Sequence, residues 1–230
     1  MIKGAKEMSK KVQAVIFDLD GVITDTAEYH YLAWKQLGED VGVPFTREFN
    51  EELKGVSRMD SLDKILALGN KQNDFSIEEK LTLAEKKNEH YVSLIQNISP
   101  TDILPKIEKL IADIKDKGLK LGLASVSKNA LAVMTSLGLT DQFDVIVDAA
   151  KITNGKPDPE IFLTAASLLN VEPNACIGIE DAAAGVDSIK GAGMFAVGVG
   201  SEQTLAKADI VYPSTSELSL EAIIEAYNKA

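Results

Sequence analysis

The chain has 230 residues, of which 45% are hydrophobic and 26% are charged, as in an ordinary globular protein of one or two domains. Its formal net charge of −11 argues against a nucleic-acid backbone or an anionic membrane surface as partner. No apolar run approaches the roughly 20 residues of a membrane span. The single cysteine, Cys176, excludes an intrachain disulfide, so we expect a cytoplasmic protein.

The N-terminal part predicts one strand followed only by helices. We expect residues 1–11 to be a flexible leader, because they contain no apolar segment. The apolar run over 12–17 predicts a buried strand of the parallel-sheet type. Apolar residues at helical spacing then predict four helices, at 28–41, 47–53, 60–68 and 77–96. With no strand signal between them, these helices are expected to form a small bundle.

Strands and helices alternate after Ser99-Pro100. The predicted strands are 119–125, 143–147, 175–179, 195–199 and 210–211, and the predicted helices are 107–117, 129–137, 159–169, 182–190 and 218–227. Such alternation predicts an α/β fold with a doubly wound, Rossmann-like parallel sheet. We therefore expect a core domain of residues 1–24 and 99–230, with an all-helical cap domain, residues 25–98, inserted next to the first strand.

Polar residues follow four of the predicted strands or precede the next helix. They are Asp18 with Asp20, the segment 125–129 (SVSKN), Lys156 between prolines, and Glu180 with Asp181. Taken one at a time, each has a structural explanation as a turn, a helix cap or a solvated lysine. Because the carboxyl ends of parallel strands meet at one edge of a sheet, together they predict one site.

The chemistry of this set points to phosphoryl transfer. Four carboxylates without histidine or cysteine suit Mg²⁺, and Lys156 would offset part of their charge. An aspartate such as Asp18 can attack a phosphoryl group and form an aspartyl-phosphate. A second acid two residues later, Asp20, can transfer the proton of the substrate hydroxyl. The helix N-terminus after residues 125–129 is expected to bind an anion.

Four segments, in this order, resemble the motifs of the haloacid dehalogenase superfamily of phosphotransferases: 18–25 (DLDGVITD), Ser125, Lys156 and 178–181 (GIED). The resemblance spans the whole predicted core. Within the superfamily, three segments are most similar to sugar phosphomutases: 18–30, 54–62 and 125–129. Both the cap and the core therefore take part in the resemblance.

The resemblance implies a role for each matching residue. Asp18 would be the phosphorylated nucleophile and Asp20 the general acid–base. Asp18, the backbone carbonyl of Asp20, Glu180 and Asp181 would hold Mg²⁺. The transferring phosphoryl group would be bound by Asp18, Leu19, Asp20, Ser125, Val126 and Lys156. The substrate and its distal phosphate would be bound by Arg58, Ser127, Lys128 and Asn129, with Lys87 and His30 placing Asp20 and Thr26 in the hinge.

Each of the predicted cap residues also has a simpler structural explanation. Lys87 lies in a charged stretch of a long helix, where a solvated lysine is the default, and its choice over Lys86 rests on the resemblance alone. His30 lies one turn from an aromatic residue and can be explained as a packed interface histidine. Arg58 can be explained as one half of a surface ion pair.

The implied reaction interconverts β-D-glucose 1-phosphate and glucose 6-phosphate through phospho-Asp18 and a β-glucose 1,6-bisphosphate intermediate. We expect a monomer whose partner is a small phosphosugar, without nucleic acid or membrane. One alternative is a sugar-phosphate phosphatase of the same superfamily, with water as the final acceptor. A second alternative is a catalytically idle phosphosugar-binding module, which the complete set of charged residues disfavours.

Overall fold

Six short strands form one parallel sheet within residues 11–230, the part of the chain that the computed structural model describes. They are β1 (Ala14–Phe17), β2 (Lys120–Leu123), β3 (Val145–Ile146), β4 (Cys176–Glu180), β5 (Phe195–Val199) and β6 (Ile210–Tyr212). Their spatial order is β3-β2-β1-β4-β5-β6, and every neighbouring pair is parallel. The predicted parallel α/β fold is confirmed, while the predicted leader lies, apart from Lys11, outside the described residues.

Strand β1 lies in the middle of the sheet because its four residues are all apolar. Val15 and Phe17 pack into the core on one face, and Ala14 and Ile16 pack into the core on the other. All four are at most 1% exposed. The last residue of β1, Phe17, pairs in register with Leu123 of β2 and with Ile179 of β4. The three central strands therefore end at the same level, which brings the residues that follow them together.

Helices cover both faces of the sheet. They are α5 (Ile107–Asp116), α6 (Ala130–Ser136), α7 (Glu160–Leu169), α8 (Ala183–Gly191) and α9 (Leu220–Tyr227). Apolar residues of α5, α6 and α9 belong to the cluster on one face, and those of α7 and α8 belong to the cluster on the other. This arrangement is the doubly wound architecture that the alternating sequence pattern predicts.

Four helices precede this part of the chain: α1 (Ala27–Val41), α2 (Arg47–Glu51), α3 (Arg58–Leu68) and α4 (Ile77–Leu94). They surround an apolar cluster of their own, which includes Trp34, Leu62 and Ile65. The start of α4 is fixed by a capping box in which Ser76 and Glu79 each bond the other's backbone amide. The helices appear where the sequence predicts them to within two residues at each end. Their division from the core as a separate cap domain stays a prediction.

The chain enters and leaves the helical segment at neighbouring points. Thr24 Oγ1 donates to the backbone carbonyl of Asp102 at 2.8 Å, and the Leu104 amide donates to the carbonyl of Ile23, also at 2.8 Å. These bonds fix both connections beside the carboxyl end of β1, so helices α1–α4 lie over the strand ends. No helix in the described part of the chain is long and apolar enough to cross a membrane.

Short 3₁₀ helices supplement these elements. They cover Ile95–Asn97, Pro100–Asp102, Thr140–Gln142, Ala149–Lys151, Pro173–Ala175 and Thr215–Glu217. None of them is predicted from the sequence pattern, since each is a single turn and too short to show hydrophobic periodicity.

Candidate active site

Three carboxylates form a cluster beyond the ends of β1 and β4. Asp18 follows β1, Glu180 is the last residue of β4, and Asp181 comes directly after it. One carboxylate oxygen of each lies within 4.8 Å of the others. Burial and the neighbouring negative charges raise the pKa of both Glu180 and Asp181. The three residues offer only oxygen ligands, they lie close together, and their negative charges are not fully neutralised. Such a group fits a hard divalent cation such as Mg²⁺.

Lys156 neutralises part of this charge from the core side. Its ammonium lies 2.7 Å from Asp18 Oδ1 and 2.5 Å from Glu180 Oε1, and its side chain is completely buried. The two carboxylates outweigh the effect of burial and raise the pKa of Lys156 above its ordinary value. Lys156 is therefore a permanently charged partner that holds Asp18 and Glu180 in fixed orientations.

The second oxygen of Glu180 is held by backbone amides. Glu180 Oε2 accepts from the N–H groups of Asp181 at 2.8 Å and Ala182 at 2.9 Å. The first turn of α8 passes so close that a Cβ at Gly185 would overlap the Glu180 carboxyl group. Only a glycine leaves room there, so α8 and the carboxylate cluster are built to fit each other.

Asp20 does not belong to the cluster, which corrects the expectation that four carboxylates converge. Its carboxylate turns instead toward the start of α1, where the Thr26 hydroxyl donates to Asp20 Oδ1. His30 Nε2 lies 3.9 Å from Asp20 Oδ2. Burial first, and then the charge of Asp18, raises the pKa of Asp20 to about 8. A carboxyl group whose pKa lies this close to neutrality can both accept and donate a proton.

His30 and Lys87 form a pair between α1 and α4. Lys87 Nζ lies 2.9 Å from His30 Nδ1, and the His30 ring stacks on Tyr91 with the centroids 4.1 Å apart. The Lys87 ammonium also lies 4.5 Å from the centre of the Trp34 ring. Burial lowers the pKa of His30 well below its ordinary value, so His30 is neutral and its Nδ1 accepts from Lys87.

Burial likewise lowers the pKa of Lys87 to about 7, with a further contribution from the nearby guanidinium of Arg58. Lys87 is 4% exposed and faces the same cavity as Asp20. Its neighbour Lys86 lies on the surface and pairs with Asp40 at 2.7 Å. Of the two lysines that the sequence leaves open, the structure thus brings Lys87 to the site.

The loop before α3 joins the helices to the core. Lys54 Nζ lies 3.8 Å from Asp181 Oδ2, so this loop adds a second lysine to the cluster. Gly55 has a φ of 70°, and a Cβ there would lie in van der Waals contact with Ala182 and with the Lys156 stem. The loop therefore rests directly on the strand ends, and the structure has its helices closed over the carboxylates.

A second polar group lines the same cavity as Asp18. Arg58 Nη2 donates to Asn88 Oδ1 at 2.8 Å, and Asn129 Nδ2 donates to the same oxygen, also at 2.8 Å. The loop before α6 is ordered by its own serines: Ser125 Oγ accepts from the Ser127 amide, and Ser127 Oγ accepts from the Asn129 amide. Hydrogen-bond donors of helices and core thus meet at one place.

One cavity of about 440 Å³ connects both groups. Most of the predicted site residues line it: Asp18, Asp20, His30, Arg58, Lys87, Ser125, Val126, Ser127, Lys128, Asn129 and Asp181. Thr26, Lys156 and Glu180 lie behind this lining and hold its members through the bonds described above. The structure does not bring the Leu19 side chain to the cavity, because it is fully buried in the apolar core.

Two residues of the site carry no role in the sequence analysis. Lys54 stands at the start of the segment 54–58, so the motif itself is a signal that could have found it. Asn88 follows Lys87 on α4 and also lines the cavity. No spacing rule connects Asn88 to Asn129, and only the packing of α4 against the core shows their contact.

The fold and the site define a phosphoryl-transfer protein of a known class. A family model described as haloacid dehalogenase-like hydrolase matches residues 12–193, which is most of the chain. The chain therefore belongs to the haloacid dehalogenase-like family, as the four motifs in the sequence indicate.

Individual relatives include β-phosphoglucomutases and a phosphatase of phosphorylated carbohydrates. The chain is 50% identical over 218 residues to β-phosphoglucomutase of Bacillus subtilis (strain 168), covering 95% of this chain and 96% of the relative. A crystal structure of β-phosphoglucomutase from Clostridium difficile is 56% identical, with a TM-score of 0.93 and coverage of 95% and 98%. A phosphorylated carbohydrates phosphatase of Thermotoga maritima is 32% identical over 185 residues, covering 80% of this chain and 82% of the relative.

Proposed function

We propose that the chain is a β-phosphoglucomutase that interconverts β-D-glucose 1-phosphate and glucose 6-phosphate. The observation that carries this proposal is the presence of two separate polar groups, both containing cationic side chains, that line or support one cavity. One surrounds Asp18, and the other comprises Arg58 and Asn129. A phosphatase needs only the first group, whereas a mutase must hold a sugar with a phosphate at each end. The high identity to β-phosphoglucomutases across both helices and core supports the same reaction.

Asp18 is proposed as the nucleophile and Asp20 as the general acid–base. In the first half-reaction the C6 hydroxyl of β-glucose 1-phosphate attacks the phosphorus of phospho-Asp18, and its proton passes to Asp20. The bond from phosphorus to Asp18 breaks and β-glucose 1,6-bisphosphate forms. In the second half, Asp18 attacks the C1 phosphoryl group and Asp20 returns the proton to the departing sugar oxygen. Glucose 6-phosphate leaves and phospho-Asp18 is restored.

The transferring phosphoryl group is proposed to be bound by Ser125 and Lys156, with Val126 and the backbone of Leu19 completing the binding site. Mg²⁺ would be held by the carboxylates of Asp18, Glu180 and Asp181 together with the Asp20 carbonyl. It would supply positive charge to the phosphoryl oxygens as the transfer proceeds. The buried oxygen cluster, whose carboxyl groups have raised pKa values, supports such a cation.

Residues 25–98 are proposed to act as a cap on a core of residues 1–24 and 99–230, with the hinge at Thr26. Arg58 from the cap, with Ser127, Lys128 and Asn129 from the core, would hold the distal phosphate. His30 and Lys87 would help to place Asp20. Closure excludes water, which would otherwise hydrolyse phospho-Asp18. We further propose a cytoplasmic monomer whose only partner is a small phosphosugar, without nucleic acid or membrane.

The test follows two products at once. Purified protein with Mg²⁺ and a trace of acetyl phosphate as primer receives β-D-glucose 1-phosphate, and glucose 6-phosphate and inorganic phosphate are both measured. We expect fast glucose 6-phosphate formation with little free phosphate. The α-anomer and the Asp18→Asn variant are the controls, and neither should give product. Phosphate release without glucose 6-phosphate would instead identify a phosphatase, and activity in Asp18→Asn would exclude the nucleophile.

A further inference from the structure

Asn88 lies in the cavity where the helices and the core meet. Its side-chain oxygen Oδ1 accepts two hydrogen bonds at 2.8 Å, one from Arg58 on α3 and one from Asn129 on the core. One neutral oxygen thus joins the two sides of the cavity. Both donors belong to residues that the proposed function assigns to the distal phosphate.

The donors that converge on Asn88 Oδ1 are those that a phosphate oxygen would use. Arg58 and Asn129 both aim N–H groups at one acceptor position inside the cavity. A phosphate oxygen accepts such bonds more strongly than an amide oxygen, because it carries negative charge. We propose that Asn88 is a positioning residue whose carbonyl takes the place of the distal phosphate until a phosphosugar displaces it. This inference rests on the proposed function.

The surroundings of Asn88 fix the orientation of its amide. Asn88 Nδ2 donates to Glu85 Oε1 at 3.3 Å, and Glu85 Oε2 lies 3.4 Å from Arg58 Nη1. With its nitrogen turned toward Glu85, the amide presents its oxygen to both donors. The side chain of Glu85 is largely exposed, so its contact with Arg58 is screened by water. Asn88 is therefore the main partner that holds Arg58 toward Asn129.

The side chain at position 88 determines how tightly the site binds a phosphosugar. Because Asn88 is neutral, phosphate can displace it at little cost. A carboxylate at the same place would keep Arg58 for itself and would repel the incoming phosphate. A leucine of similar size would leave Arg58 and Asn129 without the bonds that hold them in place. Both changes weaken the binding of a phosphosugar, but the carboxylate weakens it more.

The test measures the binding of glucose 6-phosphate by calorimetry to the wild-type enzyme and to the variants Asn88→Asp and Asn88→Leu. In Asn88→Leu the Arg58 and Asn129 side chains are no longer held toward one position before binding, and the cost of ordering them is expected to raise Kd about 5- to 10-fold. Asn88→Asp should raise Kd further, because its charge repels the phosphate. In the mutase assay the loss should fall mainly on KM rather than on kcat. Glu89→Gln, an exposed neighbour on the same helix, is the control and should bind as the wild type does.

The ordering of the variants distinguishes positioning from a structural role. If both variants bind glucose 6-phosphate as tightly as the wild type, or if Asn88→Asp binds at least as well as Asn88→Leu, the inference is wrong. Melting temperatures check that each variant is folded, and Asn88→Ala replaces Asn88→Leu should the latter not fold. Because binding is measured directly, a protein that binds in this order without mutase activity would refute the proposed reaction and leave the role of Asn88 intact.

Discussion

Replacing Lys156 by methionine tests how the carboxylate cluster is held together. The methionine keeps most of the buried stem and removes only the ammonium, which lies 2.7 Å from Asp18 and 2.5 Å from Glu180. Both carboxylates would then remain buried without their common partner. Removing one member of a buried ion pair costs about 3–5 kcal/mol, because the charge left behind is uncompensated. We expect Lys156→Met to lower the free energy of unfolding by this amount at pH 7.

The assay is urea unfolding followed by circular dichroism in the presence of EDTA, so that no divalent cation compensates the charge. Lys109→Met is the matched control, because Lys109 forms an exposed pair with Asp113. That change should cost at most about 0.5 kcal/mol. Burial already raises the pKa of Glu180 while Lys156 lowers it, so without Lys156 this pKa rises further above its value in the unfolded state. The folded protein then binds more protons, so the deficit should shrink as the pH falls toward 5.

Two results would refute this reasoning. The first is a loss in Lys156→Met no larger than that in Lys109→Met. The second is a deficit that stays constant between pH 7 and pH 5, since uncompensated carboxylates must respond to protonation. Millimolar Mg²⁺ should restore part of the stability of Lys156→Met, because a cation bound only to the folded state stabilises it. Unfolding curves with and without EDTA measure this recovery.

Three further changes have defined outcomes. Gly185→Ala should lower the free energy of unfolding by about 1–3 kcal/mol in urea, because its Cβ would overlap the Glu180 carboxyl group. A gain of stability, which helix propensity alone predicts, would contradict this. Ser76→Ala should cost about 1 kcal/mol in the same assay, since it removes the capping box with Glu79. The pKa of Lys87 is about 7 in the folded protein, against the ordinary value of 10.5 for an exposed lysine. Between pH 7 and pH 10.5 the unfolded state therefore binds more protons than the folded state. Wild-type stability should therefore rise from pH 7 to 10 relative to Lys87→Met, and equal pH profiles would contradict the lowered pKa.

The sequence predicts the central elements well because their residues are buried on every side. Strand β1 is a continuous apolar run that reaches both core clusters, so its pattern has one interpretation. The predicted strand over 143–147 is shorter in the structure, where β3 covers only Val145–Ile146. At its start the Asp144 carboxylate accepts the backbone amide of Leu121. A side chain thus takes a bond that a longer strand would have supplied, and no pattern of hydrophobicity shows this.

Helix ends follow local hydrogen bonds that the apolar pattern does not contain. The sequence predicts a helix from residue 60, whereas α3 begins at Arg58 because the Ser57 side chain accepts the amide of Asp60. The two extra residues matter for the site. As the first residue of α3, Arg58 is directed into the cavity by the turn that Ser57 caps. A shift of two residues at a helix end therefore decides where a functional side chain lies.

The site itself divides into a part that follows from topology and a part that does not. Asp18, Glu180 and Asp181 come together because β1 and β4 are neighbours that end in register. The orientation of Asp20 depends instead on Thr26, at the start of the first helix. The contact of Asn88 with Asn129 joins residues 41 positions apart through tertiary packing alone. Strand order can be inferred from alternation, but the docking of helices onto strand ends cannot.

The positive charges around the cavity indicate that a bound anion would favour closure of the helices over the core. The helices and the loop before α3 bring Lys54, Arg58 and Lys87 to a core that already contains Lys156. Burial and the positive charge of Arg58 both lower the pKa of Lys87, as expected where two cations lie close together. An anion placed between them relieves their repulsion and makes its own contacts with both sides of the cavity. A phosphosugar with phosphate at both ends would therefore stabilise closure more than a substrate with one phosphate, and closure in turn excludes water from Asp18.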